Sequence, residues 1–364
     1  VEALAVDPED SDTLYASMAD QESSSLHISQ DRGATWSEAG GLPSRALRIF
    51  IFKKGALRTV YAACLSGITT LENGVWRHHP TPDGVRSFNA VTAAPGADGS
   101  PVFYCASGPG WNGDDKSVAG VFVSRDGGAS WRKLDDPIAA QFETPRSLLL
   151  FQTVEACPSN ADIAYVSYKV RAEKPRGKPQ YMGVAKTTDG GENWDLVWKD
   201  STYEPSQGMR DAWMNERFGP EWGENPFTLA VGKDGKLVYA SDFGRTLRTT
   251  DGGGTWVGVY SKKMGTGWTT TGLDMTTCYG VHRDPHEPDR LWIDYTDIGA
   301  FVSDDGGATW NSGTAEGVPG GWVNTTYWML FDPDVKGRVW AVMTWIHDLP
   351  FAKMWRGIGV AHYN

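Results

Sequence analysis

The 364 residues are 40% hydrophobic and 22% charged, enough apolar material for a sizeable core, which excludes a disordered tail or a fibre. Lys+Arg number 34 against 45 Asp+Glu, and the net charge of -11 argues against nucleic acid or an anionic membrane as the main partner. No apolar run approaches the ~18 residues of a membrane span. The 43 Gly, 17 Trp and 13 Tyr predict many short strands with abundant turns, and a stacking surface for flat ligands, of which sugars are the obvious class in water. Cys64, Cys105, Cys157 and Cys278 lack CxxC spacing, which weakens a zinc or redox motif and predicts buried thiols. Cys64 and Cys105 fall in strand-like runs and would pair if those runs are neighbours. No secretory leader is recognisable; the chain begins at Val1 directly in a first strand and stops in a third, so clipped ends are expected.

The first elements set the grammar of the rest. "ALAVDPEDSDTLYAS" reads as an apolar strand, a DP turn and a second strand, followed by a third strand and a tight turn carrying Ser29, Asp31, Gly33, Thr35 and Trp36. Residues 41–82 repeat the order, with Asn73-Gly74 making the hairpin between Leu71 and Val75. The turn pattern Ser/Thr-x-Asp-x-Gly-x-Thr/Ser/Asn-Trp then recurs from Ser124 to Trp131, Thr187 to Trp194, Thr249 to Trp256 and Ser303 to Trp310. In each copy the Asp can accept backbone N–H bonds of its own turn, the Gly supplies a positive φ, and the Trp packs the returning strand. Tyr15, Tyr61, Tyr104, Tyr165, Tyr239, Trp292 and Trp340 centre the second strands of seven units, roughly 1–40, 41–82, 83–136, 137–198, 199–259, 260–313 and 314–364. Four-stranded units repeating at this length predict an all-β fold, a seven-bladed β-propeller of antiparallel blades spanning 1–364 as one domain.

The recurrent turn resembles the Asp-box, or BNR repeat, of sialidases, sortilin-type receptors, a photosystem assembly factor and the two-propeller xyloglucanases of glycoside hydrolase family 74. The repeats cover most of the chain and speak strongly for the fold. A narrower resemblance lies in "YGVHRDPHEPDRLWIDYTDIGAFVSDDGGATW", which looks like the xyloglucanase segment in which a "TDIGG" phrase carries a catalytic aspartate. That resemblance implies a catalytic Asp297. The chain departs from it in having Ala300 after "DIG", one propeller in place of two, and the phrase in its sixth unit.

Strand alternation sorts the loops. Taking the strands of a unit as a to d, the a–b and c–d turns share one rim and the b–c and d–a loops the other. The recurrent turns are c–d connections and are read as scaffold, so chemistry is sought on the opposite rim. Asp242 and Asp297 occupy matching places in two short b–c loops, and two carboxylates on one rim are the minimum for glycosidic cleavage. The irregular stretch of residues 201–227 offers Glu216 and Glu221 as alternatives to Asp242, with Trp213 and Trp222 for stacking. Arg45, Arg86 and Arg146 each precede an innermost strand and suit a substrate carboxylate, loosely resembling the arginine cluster of sialidases. Trp111, Trp268, Trp322 and Trp345 fall in expected ligand-rim loops. Tyr279 and His282 permit a rival chemistry, proton abstraction beside a uronate carboxylate. Three functions follow from these residues: a secreted glycoside hydrolase acting on a plant or microbial polysaccharide, a uronate-specific lyase, or a noncatalytic binding or assembly propeller. A carbohydrate is the expected partner, with no cofactor, no metal, no nucleic acid, no membrane span, and a monomeric chain.

Overall fold

The computed structural model describes residues 1–20, 23–54, 57–72, 74–108, 118–142, 149–171, 180–201, 207–210, 213–214, 225–242, 244–271, 276, 278–313, 324–345 and 358–363. The chain divides into two compact units, Val1–Val257 and Gly258–Asn364.

In the first unit the first four sheets are antiparallel meanders. Sheet 1 runs β1 (Ala3–Val6), β2 (Leu14–Ala19), β3 (Ser24–Ser29) and β4 (Ser37–Gly41). Sheet 2 follows with β5 (Ala46–Lys54), β6 (Leu57–Cys64), β7 (Gly67–Glu72) and β8 (Val75–Pro80), then sheet 3 with β9 (Ala90–Pro95), β10 (Pro101–Ser107), β11 (Gly120–Ser124) and β12 (Arg132–Lys133). One helical turn, α1 (Asp136–Ala139), started by Pro137, leads to sheet 4: β13 (Leu149–Cys157), β14 (Asn160–Val170), β15 (Tyr181–Thr187) and β16 (Asp195–Ser201). Sheet 5 has five strands, because β17 (Met209–Arg210) pairs in parallel with the last of β18 (Thr228–Val231), β19 (Val238–Ser241), β20 (Thr246–Thr249) and β21 (Trp256–Gly258). That added strand comes from the irregular stretch and had no signal in the hydrophobic pattern, being two residues long.

The second unit opens with a separate hairpin, β22 (Ser261–Met264) and β23 (Gly267–Thr270). Sheet 6 follows with β24 (Cys278–Arg283), β25 (Leu291–Tyr295), β26 (Gly299–Ser303) and β27 (Asn311–Ser312), and sheet 7 with β28 (Thr325–Phe331), β29 (Val339–Thr344) and β30 (Ile358–Tyr363). The four-stranded order a-b-c-d read from the repeats is thus present in the described sheets, and sheet 7 has three strands among the described residues.

Alternation along these strands sends one set of side chains to each face, and the cores form where a face meets the next sheet. Leu26 of sheet 1 packs with Ile49, Val60 and Ala62 of sheet 2. The far face of sheet 2, with Ala63 and Ile68, meets Phe103 and Cys105 of sheet 3. Leu134 and Val121 pack against Phe151 and Val166 of sheet 4, and within the second unit Trp292 and Ala300 meet Met329 and Val339. Phe103 is fully buried and stacks near Phe50 and Tyr61, with ring centroids 5.8 and 5.3 Å away; its truncation to Ala would cost about 3–5 kcal/mol.

The same register explains the cysteines. Cys64 points into the core against sheet 1, whereas Cys105 points into the core between sheets 2 and 3, so the two look to opposite faces of sheet 2 and stay free thiols. Cys278, expected to be buried, is exposed at the start of β24.

The five recurrent turns share one bonding scheme. In the first, the Ser29 hydroxyl donates to Asp31 Oδ1 (2.8 Å) and accepts the Gly33 N–H (2.8 Å), while Asp31 accepts the Thr35 N–H (2.8 Å) and hydroxyl (2.6 Å). Asp126, Asp189, Asp251 and Asp305 accept from the corresponding residues of their own turns. These donors favour the charged form, and the carboxyls of Asp31, Asp189 and Asp305 are held down at about 2. The turn glycines also serve as contact points: at Gly191 (φ 92°) a Cβ would stand 2.3 Å from Leu134 Cδ1 of the preceding sheet, and only glycine allows that approach. These aspartates are fully occupied by their own turns, as a scaffold role requires.

Candidate functional site

Within each unit the b–c loop of a sheet meets the start of the next sheet, as strand alternation requires. In the first unit Phe88 N–H donates to Leu65 O (3.0 Å), joining the sheet 2 loop to the segment before sheet 3. In the second, Gly299 N–H donates to Asn324 O (2.9 Å), joining the sheet 6 loop to the segment before sheet 7. These contacts define the rim opposite the recurrent turns.

Asp297 sits at the tip of the sheet 6 loop, half-buried, with φ at 65°, a left-handed conformation that Asp tolerates better than most residues. The tip is pinned from three sides. Ile298 N–H closes onto Thr296 O (2.8 Å), the Thr276 hydroxyl donates to Thr296 O (3.2 Å) and lies 3.5 Å from Asp297 Oδ2, and the Thr325 hydroxyl accepts the Asp297 N–H at 3.5 Å. Thr325 in turn stands 3.2 Å from the Thr296 hydroxyl and donates to Asn324 Oδ1 (2.8 Å). A non-glycine residue in this region costs of order 1–3 kcal/mol and persists where its surroundings over-determine it, often at functional sites.

Asp242 behaves differently, and its expected role as a rim carboxylate is corrected. Its side chain is fully buried: Oδ1 accepts the N–H groups of Gly244 (3.0 Å) and Arg245 (2.7 Å), while Oδ2 is gripped by Arg245 Nε (2.8 Å) and Nη2 (2.5 Å). The Arg245 guanidinium continues to Asp200 Oδ2 (2.7 Å) and lies 5.1 Å over the Trp198 ring. A buried charge of this kind is stable because it is paired, and a carboxylate so engaged has no lone pairs to offer a substrate. Glu216 and Glu221 lie outside the described residues, as do Arg146, Trp111, Trp222 and Trp322.

The arginines separate in the same way. Arg45 is exposed and ion-paired with Glu2, and Arg86 is exposed. Sequence reasoning missed Arg48, whose guanidinium forks onto Glu155 of β13 (the longer bond 3.3 Å) across 107 positions of chain. Burial pushes the Glu155 carboxyl up, with Arg48 opposing.

The aromatic residues divide between rim and scaffold. Trp345, 55% exposed, follows β29 at the rim, and Tyr279, near the start of β24, lies 5.0 Å from the Tyr327 ring. Trp213 is half-buried next to buried Met214. Trp268 does not occupy a rim loop: its backbone exchanges bonds of 2.9 and 2.6 Å with Trp310, so the β22–β23 hairpin zips to the recurrent turn of sheet 6. Lys263 Nζ covers its ring at 5.3 Å.

His282 reaches from β24 across to Asp294 of β25, Nε2 to Oδ2 at 2.6 Å. Asp294 is fully buried, and burial pushes its carboxyl up to about 6 against the pull of His282. A diagonal His–Asp pair on adjacent strands was readable once the register was known, since His282 stands opposite Trp292 and Gly280 opposite Asp294. Among the described residues no group of three or more His, Cys, Asp or Glu could hold a metal ion, and no helix is long and apolar enough to cross a membrane.

No protein family and no curated protein matches the sequence. Solved structures do match in three dimensions. An ancestral GH74 enzyme is 15% identical with a TM-score of 0.60, covering 96% of this chain and 47% of that one. The GH74 xyloglucanase from Xanthomonas campestris is 15% identical with a TM-score of 0.50, covering 93% and 61%. YCF48 from Cyanidioschyzon merolae is 12% identical, with a TM-score of 0.43, over 99% and 94%; a likeness at that score carries no argument. The chain therefore spans only 47% and 61% of the length of the two enzymes it matches. Likeness at such identity speaks for the fold alone, and together with the successive four-stranded antiparallel sheets it supports a β-propeller.

Proposed function

We propose that the chain is a secreted glycoside hydrolase on a seven-bladed Asp-box propeller, cleaving a polysaccharide or oligosaccharide at the rim that carries Asp297. The observation that carries the reading is the held left-handed tip: Asp297 is half-buried and fixed by Thr276 and Thr325 on the rim opposite the recurrent turns. Its place matches the residue that the xyloglucanase resemblance implies. Exposed Trp345 and the Tyr279–Tyr327 pair in the same unit offer flat apolar faces of the kind that stack on sugar rings. The two structural neighbours with the stronger likeness are GH74 enzymes, one of them a xyloglucanase, and this supports a polysaccharide as the substrate class. Glycosidic cleavage needs an acid for the leaving oxygen and a base for water, and Asp297 serves as one of them.

The test is a panel of neutral and acidic polysaccharides incubated with the protein and read by product chromatography and mass. Products whose summed mass exceeds that of the parent chain by one water per cleaved bond support hydrolysis. Products carrying a 235 nm absorbance from an unsaturated uronate would replace this reading by elimination, and binding without any product would replace it by a noncatalytic role.

A further inference from the structure

The tip that carries Asp297 is held by two threonines whose hydroxyls act differently. Strand register brings both there. Cys278 pairs with Tyr295, so Thr276, two positions before β24, comes alongside Thr296 and Asp297, while Thr325 opens β28 where the Gly299 N–H meets Asn324 O. A hydroxyl carries one proton and two lone pairs. Thr325, fully buried, gives its proton to Asn324 Oδ1 (2.8 Å) and so meets the Asp297 N–H (3.5 Å) and the Thr296 hydroxyl (3.2 Å) with its lone pairs. These three contacts hold the backbone of the tip and leave the carboxyl of Asp297 aside. Thr276 is placed otherwise. Its proton has two acceptors in reach, Thr296 O at 3.2 Å and Asp297 Oδ2 at 3.5 Å, the latter at the outer limit of a hydrogen bond. Rotation of the hydroxyl moves the proton from one to the other, and Thr296 O keeps the Ile298 N–H (2.8 Å) in either case.

From this geometry, and resting on the hydrolase reading above, we propose that Thr276 is a positioning residue for Asp297 whose hydroxyl follows the charge of the carboxyl. When Asp297 is charged, the Thr276 O–H points to Oδ2 and stabilises the carboxylate. When Asp297 carries its proton, Thr276 turns its own to Thr296 O and offers a lone pair to the Oδ2–H. No bond within Thr276 is made or broken. The carboxyl keeps a hydrogen bond on both sides of the proton transfer, whether it gives a proton to the leaving oxygen or takes one from water, and the cost of stranding a half-buried carboxyl oxygen is avoided in each state. A contact of 3.5 Å is long, as hydrogen bonds at a site without substrate often are, and tightens when the complex forms. The ionisable side chains on the strand ends around the tip are Cys278 and Tyr279 of β24, Tyr295 of β25 and Tyr327 of β28. Further along, Asp294 of β25 faces His282 at 2.6 Å, and Arg283, at the far end of β24, is bonded to Pro288 O.

Two arms test this. On whichever substrate of the panel is cleaved, Thr276→Val, which keeps the shape and loses the hydroxyl, should lower kcat about 10- to 100-fold with KM nearly unchanged. It should also move the limb of the pH profile set by Asp297 to higher pH, because the charged form has lost a donor. Thr276→Ser keeps the hydroxyl and should restore most of the rate and return the limb. Parent-like kcat in folded Thr276→Val protein, or a serine variant as slow as the valine one, overturns the proposal. The second arm is a double-mutant cycle in denaturant unfolding of the full chain at pH 7, which needs no turnover. Thr276→Val and Asp297→Ala should be non-additive by about threefold or more in the unfolding equilibrium constant, and additive effects overturn the link. If the parent cleaves nothing on the panel, the hydrolase reading falls, while the cycle still judges whether the Thr276 hydroxyl serves the carboxyl.

Discussion

The loops of sheets 5 and 6 carry nearly the same phrase, "SDFGR" and "TDIGA", yet their aspartates have opposite fates. Three positions beyond Asp242 stands Arg245, whose backbone and guanidinium both turn back onto the carboxylate. Three positions beyond Asp297 stands Ala300, fully buried in the core of sheets 6 and 7. An arginine at that place converts a rim carboxylate into an internal tie with Asp200; an alanine leaves the tip to be held by neighbouring hydroxyls. One side chain therefore separates an aspartate tied into its sheet from one held at the rim by hydroxyls.

The largest expected effect comes from cutting the sheet 5 tie. Asp242→Asn leaves Arg245 buried with half its partners, and should cost about 3–5 kcal/mol in denaturant unfolding, whereas Asp297→Asn keeps a residue that accepts left-handed backbone and should cost under ~0.5 kcal/mol. Equal losses would erase the contrast. Arg245→Met leaves the buried carboxylates of Asp200 and Asp242 without their cation and should lower the melting temperature at pH 7.

Next in size is acid unfolding of the parent. The carboxyls of Asp31, Asp189 and Asp305 are depressed to about 2, so what they contribute is present above ~4 and is lost as pH falls toward 2. Asp294 runs the other way: raised to about 6, it contributes below the ordinary carboxylate range and loses that contribution as pH rises through 6. Replacing Asp189 by Asn should flatten the acid limb, and Asp294→Asn the limb between 4 and 6, when melting temperature is followed against pH. Gly299→Ala, at a φ of 76°, should cost about 1 kcal/mol, because it asks a second non-glycine residue to sit left-handed at the Asp297 tip. The smallest effect is chemical: a thiol reagent should label Cys278 in the folded chain and reach Cys64, Cys105 and Cys157 only on unfolding.

Much of the fold was readable because its signals are local. Alternation in "GVFVS" and the Ser-x-Asp-x-Gly turns each occupy a few residues, and the same hydrogen bonds recur wherever the letters recur. The place of Asp297 in a short b–c loop was legible for the same reason, since it follows from strand order. What escaped depended on distance. Arg245 stood visibly three places from Asp242, but its burial and its bond to Asp200 come from a packed sheet 45 residues away. The Arg48–Glu155 fork joins separate sheets, and Trp268 was misplaced because a backbone zipper to Trp310 has no side-chain signature.

On the proposed reading the carboxylate at 297 does chemistry, while the one at 242 is held in the sheet 5 tie. The most direct measurement is single-turnover cleavage by Asp297→Asn, on the substrate the parent degrades, at matched folded fraction. The account predicts a rate at least ~10²-fold below the parent with unchanged stability. A parent-like rate from that variant would contradict it.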